Sequence, residues 1–192
     1  EFNSMHRMCD ELRTEYDYEM IDKWIKGETG FPFLDACMKF LQKNGWINFR
    51  MRAMIMSFAS YNMWQPWQKT SPLLAELFTD YEPGIHISQV QMQSGVTGIN
   101  LPRIYSVPKQ SMDQDINAEW TKKLLPQLDN FDPKLIHNAE LDGLYIPKIV
   151  DLKASAKFAR DKIWGIRKSK EFKDEARKVY LKHGSRRKRN IN

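Results

Sequence analysis

Residues 44–58, NGWINFRMRAMIMSF, decide how the chain reads. The stretch is apolar almost all the way round, and an element with no polar face belongs in a core. Yet it carries Arg50 and Arg52. On a helix, residues three and four apart share a face. Arg52 then lies in line with Trp46, Phe49 and Met56, and Arg50 with Ile47, Met54, Ser57 and Tyr61. A guanidinium keeps its proton at any ordinary pH. Burying it unpaired costs several kcal/mol, so it must meet an anion. Two kinds of partner are open. One is a carboxylate, with Asp80 or Glu82 in the next loop as candidates. The other is a ligand that carries negative charge or a polar ring edge. A buried Arg–Asp pair with no ligand remains the plain alternative.

The pattern on either side is also helical. Residues 18–26 form a short amphipathic segment closed near Gly27. Pro32 suits a first helical turn, Phe33, Leu34, Cys37, Met38 and Leu41 follow at helical spacing, and Asn44-Gly45 forms a stop. The quoted helix is expected over 46–61, and another over 72–79 from Ser71-Pro72. Residues 85–93 are read as helix, 94–111 as a long surface loop, and 113–125 as helix. Residues 127–150 read as loop with a short helix after Pro133, and 151–182 as a charged helix pair broken at Gly165. No alternating strand pair appears, so the fold class is all-α.

Composition sets bounds. The 192 residues suffice for one domain, and net charge +6 favours polyanionic partners. Cys9 and Cys37, with no CxxC, predict neither a disulfide framework nor a metal site. Reducing, cytoplasmic surroundings fit, with the nucleus as an alternative because of Arg186-Arg187-Lys188-Arg189. No run of 18 apolar residues reads as a membrane span. Residues 1–4 read as a vector-derived remnant, 5–183 as the helical unit, and 184–192 as a disordered basic tail. Met51, Met54 and Met56 read as core filler.

Five segments together resemble one family. Thr29–Met38, TGFPFLDACM, resembles the TGYPxVDAxMR segment of the DNA photolyase/cryptochrome family. Asn44-Gly45-Trp46 with Arg50-Met51-Arg52 resembles TGWxHNRxR, and Ser57-Phe58 and Trp67 fall at the family's spacing. Arg103-Ile104-Tyr105 with Lys109-Gln110 resembles RIFNPxxQ, and Glu119 to Pro126 resembles EFIRxWLPEL. The match runs in order over about 22–126.

The resemblance implies a helical FAD-binding domain. It implies Arg52 beside the isoalloxazine ring and paired with Asp80, and Asp80, Tyr81, Glu82 and His86 as cofactor contacts. It implies Phe49, Arg50, Met92 and Lys109 as contacts to damaged DNA. It makes Trp67 the middle member of an electron-transfer chain and sets His86 where an Asn usually faces flavin N5. Val90 and Met92 stand where the family has tryptophans. The family's N-terminal antenna domain and its phosphate-binding loop find no counterpart, so the chain reads as the C-terminal half of the flavin domain. The implied activity is blue-light-driven electron transfer from FAD to a pyrimidine dimer, a lyase reaction in DNA repair. A cryptochrome-like photoreceptor is the alternative. A helical nucleic-acid-binding domain without flavin chemistry is a third reading.

Overall fold

The computed structural model describes residues 3–184. Among them lie ten α-helices and no strand. Helix α1 (Tyr18–Lys26) is started by Asp17, whose Oδ1 accepts from the Met20 amide at 3.0 Å. Helix α2 (Pro32–Asn44) buries Phe33, Leu34, Cys37, Met38 and Leu41, as its spacing predicts. It ends at Gly45, where φ is 67°.

That glycine is required twice over. The left-handed turn favours a residue with no Cβ, and a Cβ there would meet the Thr79 side chain. Thr79 donates both its amide (2.9 Å) and its hydroxyl (3.1 Å) to the Gly45 carbonyl. The end of α2 is thereby clasped to the residue before Asp80.

The quoted stretch forms α3 (Phe49–Ser57), shorter than the expected 46–61. Asn48 accounts for the late start: its side chain accepts from the Met51 amide, satisfying a donor at the helix end. Residues Phe58–Asn62 continue as one wider π turn. The stretch is not buried all round either. Met51 and Ala53–Ser57 are buried, but Trp46 and Phe49 are 51% and 58% exposed, and Arg50 is exposed beside them.

Helix α4 (Trp67–Leu77) begins five residues before the expected 72, with Pro72 inside it. Helix α5 (Pro83–Gln93) confirms helix over strand for 85–93. Glu82 caps it, accepting from the Ile85 amide at 2.6 Å. The expected long loop 94–111 contains the start of α6 (Val107–Gln114), capped by Ser106. The expected helix 113–125 is split between α6 and α7 (Glu119–Leu124). Asp115 causes the split: its carboxylate accepts from the Trp120 amide and from the Thr121 amide and hydroxyl. Helix α8 (Pro133–Asn138) follows Pro133 as read. Gly165 does not break the last pair. It lies within α9 (Leu152–Arg167), and the break falls at Ser169, which caps α10 (Lys170–His183) through the Phe172 amide.

The main core lies among α1–α5, with Trp24, Leu34, Met38, Leu41, Met54, Ile55 and Phe58 fully buried. Asp35 sits inside it as a hub. Its carboxylate accepts from the Thr29 amide (2.8 Å) and hydroxyl (2.6 Å), the Gly30 amide (3.1 Å) and the Tyr145 hydroxyl (3.0 Å). Burial pushes its pKa up; the hydrogen bonds from Thr29, Tyr145 and Gly30 oppose that rise. Ser4 is 2% exposed and its hydroxyl accepts from Trp67 Nε1 at 3.0 Å. Cys9 and Cys37 are free and buried, and burial pushes the Cys9 thiol up to about 12. The tail expected over 184–192 lies outside the described residues from 185 on.

Candidate functional site: a cation-floored cavity between α3, α4 and α5

A cavity of about 150 Å3 opens where α3, α4 and α5 meet. Phe49, Arg52, Ala53 and Met56 line it from α3, and Leu74 from α4. Phe78, Asp80, Tyr81 and Glu82 come from the loop between, and Ile85, His86, Gln89, Val90 and Gln93 from α5. All five residues expected to touch a cofactor meet here: Arg52, Asp80, Tyr81, Glu82 and His86. The separation in sequence is bridged by the Gly45–Thr79 clasp, which brings Asp80 to the N-terminal end of α3.

Arg52 is held on several sides. Its Nη2 donates to Asp80 Oδ2 at 2.9 Å, and its Nε to the Ile47 carbonyl at 2.7 Å. The guanidinium carbon lies 4.2 Å from the Phe78 ring centroid and 5.9 Å from that of Trp46. The pair is not deeply buried: the Arg52 and Asp80 side chains are 25% and 48% exposed. The hydrogen bond from Arg52 holds the Asp80 carboxyl below its ordinary value. The expectation of a dry guanidinium is therefore corrected. Arg52 is half-buried at a cavity wall, with Nε and Nη2 each bonded and no partner for its Nη1 among the described residues.

His86 makes a different contribution. Its Nε2 lies 3.0 Å from Ser71 Oγ and 3.1 Å from the Ser71 carbonyl oxygen. A carbonyl only accepts, so Nε2 carries the proton and Nδ1 the lone pair. Burial lowers the His86 pKa; the Ser71 carbonyl opposes this and the Arg52 charge adds to it. The ring is thus neutral at neutral pH, with Tyr81 and Phe78 packed edge-on against it.

The other expected residues divide. Phe49 lines the cavity mouth. Arg50 is exposed on the same turn but is not a lining residue. Met92 is half-buried near the end of α5, outside the lining. Lys109 is exposed on α6, where it pairs with Asp113 at 3.1 Å. Trp67 is buried outside the lining, one helical turn before Ser71 on α4. Sequence reasoning missed Ser71, Phe78 and Gln89. The spacing Trp67, Ser71, Leu74, Phe78 was a usable signal for the first two. Gln89 had none. Its Oε1 is buried with no hydrogen-bond partner among the described residues.

Among the described residues no group of His, Cys, Asp and Glu could hold a metal ion, and no helix is long and apolar enough to cross a membrane. The donor set suits a flat, mixed-polarity ring: a fixed cation, an orphaned acceptor, a neutral imidazole and apolar walls. A model of the FAD binding domain of DNA photolyase matches residues 1–165.

The chain belongs to the family of the photolyase FAD-binding domain.

Relatives in this family include the deoxyribodipyrimidine photo-lyase of Alkalihalophilus pseudofirmus, 30% identical over 129 residues, which are 66% of this chain and 27% of that protein. The chloroplastic/mitochondrial cryptochrome DASH of Solanum lycopersicum is 31% identical over 140 residues, 71% of this chain and 24% of that protein. The fold matches that of the archaeal photolyase from Sulfolobus tokodaii, whose structure holds two FAD molecules. There the TM-score is 0.79 at 23% identity, over 85% of this chain and 39% of that one. The chain thus spans about a quarter of the length of these curated relatives. FAD is the cofactor of the family to which this domain belongs.

Proposed function

We propose that this chain forms the ring-facing wall of a photolyase-type flavin site and serves light-driven repair of pyrimidine dimers in damaged DNA. The observation that carries the reading is the convergence of Arg52, Asp80, Tyr81, Glu82 and His86 on one cavity. At about 150 Å3 the cavity falls short of the roughly 300–1,000 Å3 of complete small-molecule sites, so it fits one edge of FAD and needs a second wall. The family's N-terminal part is the partner that would supply it.

Bound and reduced, FAD would supply on blue-light excitation an electron to the dimer and would take it back once the ring bonds have parted. The residues of this chain prepare the site. Arg52 keeps a fixed positive charge where a reduced ring gains negative charge, and such preset charge needs no rearrangement during reaction. Asp80 and the Ile47 carbonyl fix the plane of that guanidinium. His86, neutral and with Nδ1 unprotonated, can take a proton at that atom. Phe49, Tyr81 and Ile85, exposed apolar groups of the lining, would exclude water once a second wall covers them. Phe49 and Arg50, adjacent and exposed, face a DNA partner in this reading, with Met92 and Lys109 as more distant contacts.

A photoreceptor role is the second reading. Val90 lines the cavity where the family has an electron-carrying tryptophan, and a cryptochrome DASH is among the relatives. The deciding experiment adds FAD to the full-length protein, records its absorption spectrum, and then measures dimer repair under blue light. Flavin bands with repair support the first reading. Flavin bands without repair favour the second. DNA binding with no flavin bands would overturn both.

A further inference from the structure

The basic residues are unevenly placed. Residues 151–192 hold fifteen of the 30 basic residues but only five of the 24 acidic ones, so they carry +10 while residues 1–150 carry −4. The described part of that excess lies on α9 and α10. On α9, Lys153, Lys157, Arg160, Trp164 and Lys168 (just past its end) recur at helical spacing. At about 100° per residue they share an arc of roughly 80°, flanking the buried stripe of Ala159 and Ile163. The row is about 22 Å long.

A charged row is usually a solvated face laced with i,i+4 ion pairs. Helices α1 and α6 are of that kind, with Lys23–Glu19, Lys26–Asp22 and Lys109–Asp113. The α9 row differs. Among the described residues none of its four cations forms an ion pair, although Asp161 lies four residues after Lys157. The row also borders a concave surface. Lys153 and Arg160 line a groove of about 940 Å3 between α9 and residues 104–108, which lead into α6, with Tyr105 among its lining. Glu140 and Asp151 add two acidic groups to its wall, and Lys148 a further cation, already bonded to Asp142. Arg160 also lines a second recess with the exposed Trp164. Free cations along a groove, with aromatic rings beside them, are what a single strand needs: phosphates meet the cations and bases stack on the rings.

We propose that the α9 face and its groove bind single-stranded nucleic acid through its phosphate backbone, with Trp164 as a stacking platform. This surface is separate from the cavity. Helix α9 packs on the π turn at the C-terminal end of α3, through Tyr61 against Ala159 and Ile163 and through Asn62 Nδ2 to Ser155 Oγ at 3.0 Å. The cavity takes α3 residues 49–56. The proposal needs neither light nor flavin.

The test is binding of a labelled oligothymidylate in the dark across a salt series, by fluorescence anisotropy. The substituted side chains are exposed, and circular dichroism verifies that each variant is folded. K153Q/K157Q/R160Q should weaken binding at least about tenfold at low salt and flatten the slope of log K against log salt by about 2. Trp164→Leu should weaken binding without changing the slope, since an indole releases no counterion. A chain ending at Gly184 should keep the sensitivity to the triple substitution. The proposal fails if the triple variant matches the parent, or if all binding is lost with residues 185–192. It fails equally if anionic phospholipid vesicles bind as tightly as the oligonucleotide with the same dependence on α9.

Discussion

Arg52 Nη2 and Asp80 Oδ2 meet at 2.9 Å across 28 residues of chain, and the bond they form is open to solvent on one side. Exposed pairs contribute only about 0–1 kcal/mol to stability. A pair like this one therefore matters more for where it points the guanidinium than for what it adds to folding.

Replacing Arg52 should follow that division. Arg52→Ala is expected to lower folding stability by about 1 kcal/mol or less in urea titration. In the full-length protein it should weaken FAD binding by roughly tenfold to a hundredfold, the cost of one charge-assisted hydrogen bond at about 1.5–3 kcal/mol. Arg52→Lys should not restore affinity, because an ammonium cannot satisfy the Ile47 carbonyl and Asp80 together while keeping its stack on Phe78. Fluorescence titration with FAD reads the difference.

Asp35→Ala should be far more costly to the fold. Four donors lose their shared acceptor in a buried setting. Each stranded donor costs about 1–3 kcal/mol, and relaxation recovers part of the sum. A loss of roughly 3 kcal/mol or more in chemical denaturation is expected. Tyr145→Phe, which removes one donor only, should cost about 1 kcal/mol.

His86 sets an acid limit. Its pKa is lowered from 6.5 by burial, so the folded chain binds this proton less readily than the unfolded one. Its share of stability is complete above 6.5 and declines as pH falls below that value through the folded pKa. Asp80 acts in the same direction lower down: its contribution, small because the group is half exposed, is present above 3.8 and lost as pH falls through its lowered pKa. Melting temperature against pH should fall less steeply below 6.5 in His86→Asn than in the parent.

Gly45→Ala tests the clasp. The substitution strains a φ of 67° and drives a methyl into Thr79. A loss of about 1–3 kcal/mol is expected. FAD affinity in the full-length protein should fall as well, because Asp80 follows Thr79. Unchanged affinity with lowered stability would show that Asp80 is placed by its own loop.

Much of this was legible in the sequence where the chain follows simple local rules. Helix α2 was plain because Pro32 opens it, Gly45 closes it, and its apolar residues keep one spacing. The cavity residues were reached through motifs, since nothing local says that Asp80 lies beside Arg52. What stayed hidden was tertiary. Arg52 was expected to be the buried cation, but Arg13 is the deeper one, 6% exposed, with its guanidinium 4.4 Å from the Trp64 ring centroid. Arg13 sits outside any regular helix, so no periodicity marked its position. The breaks at Asp115 and Ser169 were missed for a related reason. Both are set by side chains accepting from backbone amides a few residues on, which compete with continued helix but leave the apolar pattern intact. His137 had no pattern to mark it as interior, yet it is buried in α8 with Nδ1 2.6 Å from Ser111 Oγ.

The rim around the Arg52 cavity carries a practical consequence. Trp46, Phe49, Tyr81 and Ile85 all stand open to water beside one another's elements. Handled in isolation, such a chain should be adhesive: it should light up an environment-sensitive dye, and its scattering should grow with concentration. Capping that rim should quench both signals together, which would make dye release a colourless gauge of assembly.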